Sequence, residues 1–221
     1  MEKITYKKIK ENQEIKDYIR CGNENLGVLG YTEHSFAHAF VVAENAGTIL
    51  KELDYGKEKV ELAKIAGYMH DIGNCINRED HAHTGAIMAF QILREMGMDS
   101  TSVSKIISAI GQHDEKTGVA IDPISAAVIL ADKTDVRRNR VRNPIRETFD
   151  KHDRVNYAAV SSVLKVNKEK RLIILSIELD EEICSMIDYF EIFINRMLMC
   201  KRAAEILGCR FKLMANGNKI C

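Results

Sequence analysis

Seven histidines occur in the 221-residue chain, and most of them lie where a helical pattern calls for apolar side chains. His34 and His38 fall inside a segment rich in Ala, Val and Phe. His70 is followed by Asp71 in "GYMHDIGNC", at the end of an apolar run. His81 and His83 open another helical segment, His113 closes a third, and Asp132 follows "PISAAVILA". Burying a bare carboxylate is expensive, and the usual remedies are a cationic partner or a metal ion. A single buried histidine is more often a hydrogen-bonded core residue. Three helices that bring His34, His70-Asp71 and Asp132 to one point are better explained by a metal. Mixed nitrogen and oxygen ligation suits divalent Fe, Mn, Co, Ni or Zn. Such an ion activates water and opposes the charge that develops on a phosphoryl group.

The elements that must position these residues are mostly helices. Apolar residues make up 46% of the chain, prolines number two and tryptophan is absent, so a helical protein with a sizeable core is expected. Residues 11–20 read as helical, and the glycines at 22, 27 and 30 are expected to break the next segment. Thr32 is the expected cap of a helix through Leu53, with His34 and His38 one turn apart on one face. A buried helix is expected from Lys57 to His70, ended by Gly73. Further helices are expected from Asp80 to about Met96, from Ser100 or Thr101 to about Gln112, and from the start signal Asp122-Pro123. Asn143-Pro144 repeats that signal for a short helix to Phe149.

The tail changes character. Two β-branched runs flank "NKEK" (167–170) and predict a hairpin. Asp180 is the expected cap of a long helix to Leu207, and "CRFKLMANG" reads as another strand. The expected fold is mainly α: a helical domain over residues 1–150 and a β-β-α-β appendage over 151–221. That appendage is expected to form one antiparallel sheet crossed by the long helix.

Lysine plus arginine equals aspartate plus glutamate at 32 each, which argues against a general nucleic-acid or membrane-surface binder. The six cysteines form no C-x-x-C pair and read as reduced thiols, and the charged opening of the chain has no signal-peptide core. The cytoplasm is the expected location. No apolar run is long enough to span a bilayer. Five cations, Lys133, Arg137, Arg138, Arg140 and Arg142, come after Asp132 within ten residues. They can be a solvated helix end or, since guanidinium forks suit phosphate, a substrate contact. Lys133 and Arg137, spaced one helical turn apart, are the expected phosphate-binding pair. "KHD" at 151–153 lacks apolar flanks, so His152 is expected at the surface.

The order His34, His70-Asp71, Asp132 resembles the H…HD…D signature of the HD-domain metal-dependent phosphohydrolases. "MHDIGN" is similar to that family's "HDIG" turn, "HAHTGA" (81–86) to the H-x-x-x-G-A segment of its dinuclear members, "AIGQHDE" to their next histidine element, and "LADKTD" to their last-ligand helix. The nearest subgroup in these motifs is the bacterial symmetrical dinucleoside-tetraphosphate hydrolases. The resemblance spans residues 28–142. It implies an HD-domain helical bundle in which His34, His70, Asp71 and Asp132 hold one ion, while His81 and His113 complete a second site with Asp71 bridging. The family spacing sets the histidine four residues before the glycine, which selects His81 over His83 for Gly85. His38 lies outside the motif and is expected behind the ligands or in core packing rather than on the metal. Asp71 is the implied catalytic residue, orienting the attacking water. Two departures stand out: Asn74 replaces a lysine that many relatives keep, and Asp114 replaces a second histidine.

The reading is a metal-dependent phosphohydrolase with one or two divalent ions, acting on a nucleotide or another small phosphorylated substrate. The alternative is a nucleotide- or metal-sensing module that does not hydrolyse. An exposed strand edge or apolar helix face in the tail implies a homo-oligomer.

Overall fold

The computed structural model describes residues 3–220 and is mainly α. Two helices open the described chain, α1 (Tyr6–Glu11) and α2 (Gln13–Val28). Asn12 caps α2, its side-chain oxygen accepting the Ile15 amide at 3.0 Å. Contrary to expectation, α2 runs straight through Gly22 and Gly27. Gly22 is where this helix crosses the 3-10 turn Ile72–Cys75. A Cβ there would lie 3.1 Å from both the Asn74 Cβ and the Cys75 amide nitrogen. The glycine therefore permits a close crossing rather than a break.

The central bundle consists of α3 (Phe36–Glu52), α4 (Lys57–Met69), α5 (His81–Glu95), α6 (Ser100–Gly111) and α7 (Pro123–Lys133). Its core is a continuous cluster of Ala, Val, Ile and Leu, including Val42, Ala46, Ile65, Met69, Ile106, Ile110 and all of Ala126–Ala131. Helix α7 is buried nearly all round, which explains its uninterrupted apolar run. Asp122 and Ser125 form its capping box, with Pro123 at the first helical position. Helix α6 is capped by Asp99 rather than by Ser100 or Thr101.

Two helices start elsewhere than expected. Ser35, not Thr32, caps α3, its hydroxyl accepting the Ala37 amide at 3.1 Å. Asn143-Pro144 begins only an Asx turn, with the Asn143 side-chain carbonyl accepting the Ile145 amide at 3.1 Å, and leads to a 3-10 turn over Arg146–Thr148. The helix comes later as α8 (Lys151–Ala158), capped by Asp150.

Strand β1 (Ala159–Asn167) pairs with β2 (Leu172–Leu179) in the expected hairpin. Helix α9 (Met186–Ile206) starts from a Ser185–Asp188 capping box, not from Asp180, because Asp180 first closes a turn with the amides of Ile183 and Cys184. Strand β3 (Arg210–Ala215) then pairs with β2, and β4 (Asn218–Lys219) with β3. The sheet is mixed, not antiparallel as expected: β3 runs parallel to β2. A helix between two strands carries the chain back along the sheet, so the second strand points the same way as the first. Ile173, Leu175, Ile177 and Leu179 alternate inward on β2. Leu175 and Ile177 belong to the cluster that contains Tyr189 and Phe193 of α9, while Met199, Cys200, Ala203 and Leu207 join the core of the bundle. No helix among the described residues is long and apolar enough to cross a membrane. Five cysteines are free thiols, and Cys221 lies outside the described residues.

Candidate metal centre

Helix α4 ends at Met69, and the next residues turn His70 and Asp71 into the bundle. The tight Ile72–Cys75 turn is possible because α5 backs directly onto Gly73. A Cβ on Gly73 would sit 2.1 Å from the His81 carbonyl oxygen and 2.6 Å from the Gly85 amide nitrogen. The "HDIG" turn and the "HAHTGA" helix thus meet backbone to backbone, and that contact carries His81 to the side of Asp71.

Five imidazoles line up at this point, and each has its Nδ1 against an acceptor. Nδ1 of His34 faces the Thr32 carbonyl (2.7 Å), that of His70 the Gly67 carbonyl (2.8 Å), that of His81 the Arg78 carbonyl (2.9 Å) and that of His113 the Ile110 carbonyl (2.6 Å). Nδ1 of His38 faces Asp135 Oδ2 at 2.7 Å. A carbonyl or carboxylate oxygen only accepts, so each Nδ1 carries a proton, and a ring that holds no second proton offers Nε2 as a lone pair. Four of these Nε2 atoms converge. Nε2 of His38 lies 3.3 Å from Nε2 of His70, and Nε2 of His81 lies 3.1 Å from Nε2 of His113.

The carboxylates sit between the pairs. Asp71 Oδ2 is 3.2 Å from His70 Nε2 and 3.7 Å from His38 Nε2, while Asp71 Oδ1 is 3.6 Å from His81 Nε2 and 3.7 Å from His113 Nε2. Asp132 Oδ1 faces the first pair, 3.4 Å from His38 and 3.7 Å from His70. Three groups have ligand atoms within 4.8 Å of one another: His38, His70 and Asp71; His70, His113 and Asp132; Asp71, His81 and His113. A donor set of imidazole nitrogens and carboxylates drawn this close together fits a cation. The cluster can hold a divalent metal, with one oxygen of Asp71 turned to each histidine pair.

Burial is the largest influence on these groups. It holds His34 well below the usual histidine value, lowers His113 and pushes His81 down to about 3. It also opposes charge on His70, but there the Asp71 and Asp132 carboxylates prevail and the pKa is raised. Burial alone would raise both carboxyls. His70 and His113 overcome it for Asp71, and Lys133, His38 and His70 overcome it for Asp132, so both stay well below the usual carboxylate range.

The structure brings together His70, Asp71, His81, His113 and Asp132. It adds His38, which the sequence places behind the ligands or in core packing, and leaves His34 out of all three groups among the described residues. The reason is the start of α3. With Ser35 as the cap, His34 precedes the helix, held by its own Nδ1 bond and by the Asn23 side chain on its amide (3.0 Å). His38 in the first turn faces His70 and is 1% exposed. His34 still lines the same cleft, its ring 5.4 Å from that of His38. His83 points outward and pairs with Asp80 at 3.6 Å.

Asp135 has no place in the sequence-derived donor set. It accepts from His38 Nδ1, from Arg137 Nε at 2.6 Å and from Arg137 at a second nitrogen at 3.1 Å, and so fixes the ring of His38. Its spacing from Asp132 in "LADKTD" is the only signal that points to it. Asn74, a departure from the motif that the sequence resembles, donates to Asp71 Oδ1 at 2.8 Å and accepts from Arg78 at 3.2 Å. It orients the shared carboxylate.

Lys133 and Arg137 do not share a helical face, because α7 stops at Lys133 and Arg137 is extended. Lys133 lines the cleft and pairs with Asp132 Oδ2 at 2.7 Å. Arg137 is held by Asp135 and is not among the residues lining the cleft. Arg140, one of the five cations grouped after Asp132, also lines it, as do Arg78 and Arg196, which the sequence does not single out for phosphate. The cleft has a volume of about 390 Å³ and opens onto His34, Asp71, His81, His113 and Asp132. Asp114, half-buried beside His113, accepts the Lys116 amide at 3.1 Å.

This geometry sets two expectations. His38→Ala is expected to lower bound metal, measured by elemental analysis, while His34→Ala retains it. Asp135→Ala, which frees the His38 ring without removing a donor, is expected to weaken metal affinity by about 10–100-fold. Equal metal content in the His38 variant and the parent protein would contradict the assignment.

Residues 35–139 match the family model described as HD domain. The chain is 30% identical over 194 residues to the uncharacterized protein MJ1020 of Methanocaldococcus jannaschii, covering 76% of this chain and 73% of that protein. It is 24% identical over 163 residues to ribonuclease Y of Thermosipho melanesiensis, covering 72% of this chain but only 31% of that protein. A crystal structure described as a predicted HD superfamily hydrolase from an uncultured Thermotogales bacterium is 27% identical, with a TM-score of 0.44, over 57% of this chain and 68% of that one. With an HD domain matched across the helices that build the centre, and three quarters of the methanogen protein covered at this identity, the chain is an HD-domain protein of the same family as MJ1020.

Proposed function

We propose that the protein is a metal-dependent phosphohydrolase of small phosphorylated substrates, with nucleotides as the first class to test. The observation that carries this reading is the convergence of histidine Nε2 atoms on both oxygens of Asp71, next to a cleft lined by cations. His38, His70, Asp71 and Asp132 would hold one ion, and His81, His113 and Asp71 a second. A bound divalent ion supplies Lewis acidity there, acidifying water and opposing phosphoryl charge. The chain's own residues do the rest. Asp71, fixed by Asn74, accepts from and orients the attacking water. Lys133 and Arg78 line the same cleft and offer hydrogen bonds to phosphoryl oxygens. The cleft of about 390 Å³ suits a small molecule.

The test is phosphate release by metal-loaded protein over a panel of nucleoside mono-, di- and triphosphates, dinucleoside tetraphosphates, simple phosphate esters and a short RNA. The RNA is included because ribonuclease Y is among the similar proteins. Turnover of a small ester or anhydride, lost in His70→Ala, is the expected result. Tight nucleotide binding with no product would favour the sensing alternative.

Metal binding should also depend on pH in a specific way. His81 and His113 are held neutral by burial, and Asp71 and Asp132 are held ionised, so none of them competes with the metal near neutral pH. His70, with its raised pKa, must give up its proton to offer Nε2. Affinity should therefore rise with pH through the His70 pKa, above the ordinary value of about 6.5, with close to one proton released per cluster. Calorimetry at pH 7 in two buffers of different ionisation enthalpy measures that number. Release of three or more protons would show that the other histidines are charged as well.

A further inference from the structure

Beyond the HD helices, α8 and α9 also line the cleft. Helix α8 and its cap contribute Asp150, His152, Asp153 and Asn156, and α9 contributes Phe193 and Arg196. The carboxylates are out of place for a phosphate subsite, since they repel an anion. No ion pair among the described residues neutralises them either. Asp150 Oδ1 accepts the Asp153 amide at 2.7 Å, and Asp153 Oδ2 accepts a 3.3 Å contact from the Asn143 side-chain amide. Asn156 is 8% exposed, and its Nδ2 donates to the His152 carbonyl at 2.8 Å. Its Oδ1 accepts no hydrogen bond from the described residues, and the side chain borders the cleft. The side chain as a whole is nine-tenths buried, and this oxygen is left free to accept from a group in the cleft.

Acceptors of two kinds therefore line one cleft: two carboxylates and an amide oxygen. They share the cleft with the histidine–aspartate cluster and Lys133, which would take the phosphoryl end. The chemistry that satisfies such a wall is a pair of neutral hydroxyl donors. Tyr31 lines the same cleft and is 45% exposed, with the Arg78 guanidinium 5.6 Å from its ring centroid.

We infer that the α8 wall, through Asp153 and Asn156 with Asp150 beside them, recognises hydroxyl groups on the organic half of the substrate. The substrate class is then a phosphate ester or anhydride that carries a vicinal diol, as a ribose does. The inference rests on the phosphohydrolase reading only for the identity of the phosphoryl end. It makes residues 150–156 specificity-determining and gives the segment outside the matched HD domain a direct role at the site.

The test pairs a ribonucleotide with its 2′-deoxy and 2′,3′-dideoxy analogues, read in two ways. Calorimetry of the metal-loaded protein with the three nucleoside monophosphates needs no turnover. Initial rates with the corresponding triphosphates read kcat/KM. The ribose form is expected to bind at least about tenfold tighter than the dideoxy form and to show the larger kcat/KM, chiefly through KM. Asp153→Ala and Asn156→Ala are each expected to shrink that ratio toward one. Thermal melting and elemental analysis confirm that the variants fold and keep their metal; a variant that does not is replaced by Asp153→Asn, which keeps one acceptor and removes the charge. Equal binding of all three sugars by the parent protein overturns the inference, as does a preference that survives in both variants. Absence of turnover together with the binding preference overturns the phosphohydrolase reading and leaves the diol subsite standing.

Discussion

Asp71→Asn is expected to lower phosphate release on the order of 10³-fold, the scale of losing a group that acts directly on the reacting atoms. The substitution keeps the volume of the side chain, so the buried cluster around it keeps its shape. What changes is the sign of one end. The carboxylate offers an acceptor to His38 and His70 on one side and to His81 and His113 on the other. An asparagine keeps one acceptor and turns an N–H donor toward the opposite pair. A lone pair that would meet a cation then meets a hydrogen, and that side of the centre no longer attracts a metal. Metal content per chain should fall while the circular dichroism spectrum and melting profile stay those of a folded protein. An Asp71→Asn variant with unchanged metal content and turnover within about tenfold of the parent would show that the carboxylate does not serve both sides.

Gly73→Ala carries the second large effect, and it acts through the backbone. The added methyl would sit 2.1 Å from the His81 carbonyl oxygen and 2.6 Å from the Gly85 amide nitrogen. Neither atom belongs to a flexible side chain, so α5 itself must move away from the turn. The cost is that of overpacking at a rigid contact, about 3 kcal/mol, which lowers Tm by roughly 6–12 °C in a chain of this size. Because His81 rides on the first turn of α5, metal should be lost from the His81–His113 side before the bundle unfolds. Gly111→Ala is the control. Its Cβ would meet only the Ala86 Cβ at 3.8 Å, at the end of α6, and the exchange is expected to raise stability by up to about 1 kcal/mol. Differential scanning calorimetry and elemental analysis of the two variants measure both effects. Equal melting temperatures would mean that α5 can slide over the turn at no cost.

Much of the bundle can be read from local rules. Asp122-Pro123 with Ser125 holds all the information for the start of α7, because a cap, a ring-fixed φ and a returning hydroxyl act within four residues. The apolar periods of α4 and α6 and the polar turn between β1 and β2 are equally local. So is the pairing of an imidazole and a carboxylate in "HDIGN", which asks for a cation wherever the chain folds. The features that local rules miss depend on partners far away in sequence. Gly22 and Gly27 lie inside α2, and Gly22 is needed because the Ile72–Cys75 turn crosses there. Asp180 is engaged by a turn and by Arg138, 42 residues away, so Ser185 starts α9. The direction of β3 comes from the length and path of α9, which no β-propensity encodes.

The same division runs through the site. The sequence by itself determined the donor types, their order along the chain and the need for a charge to satisfy them, since burying lone pairs and carboxylates has a fixed cost whatever the topology. Only the tertiary structure decided which donors meet. His34 and His38 are alike by composition and spacing, and the choice between them turns on the cap of α3 and on Asp135, 97 residues from His38. Whether Asp150, His152, Asp153 and Asn156 are an ordinary surface helix or one wall of the cleft depends on how α8 and α9 dock on the bundle. That docking is a sum of many weak apolar contacts between distant segments, and such a sum exists only once the chain has folded.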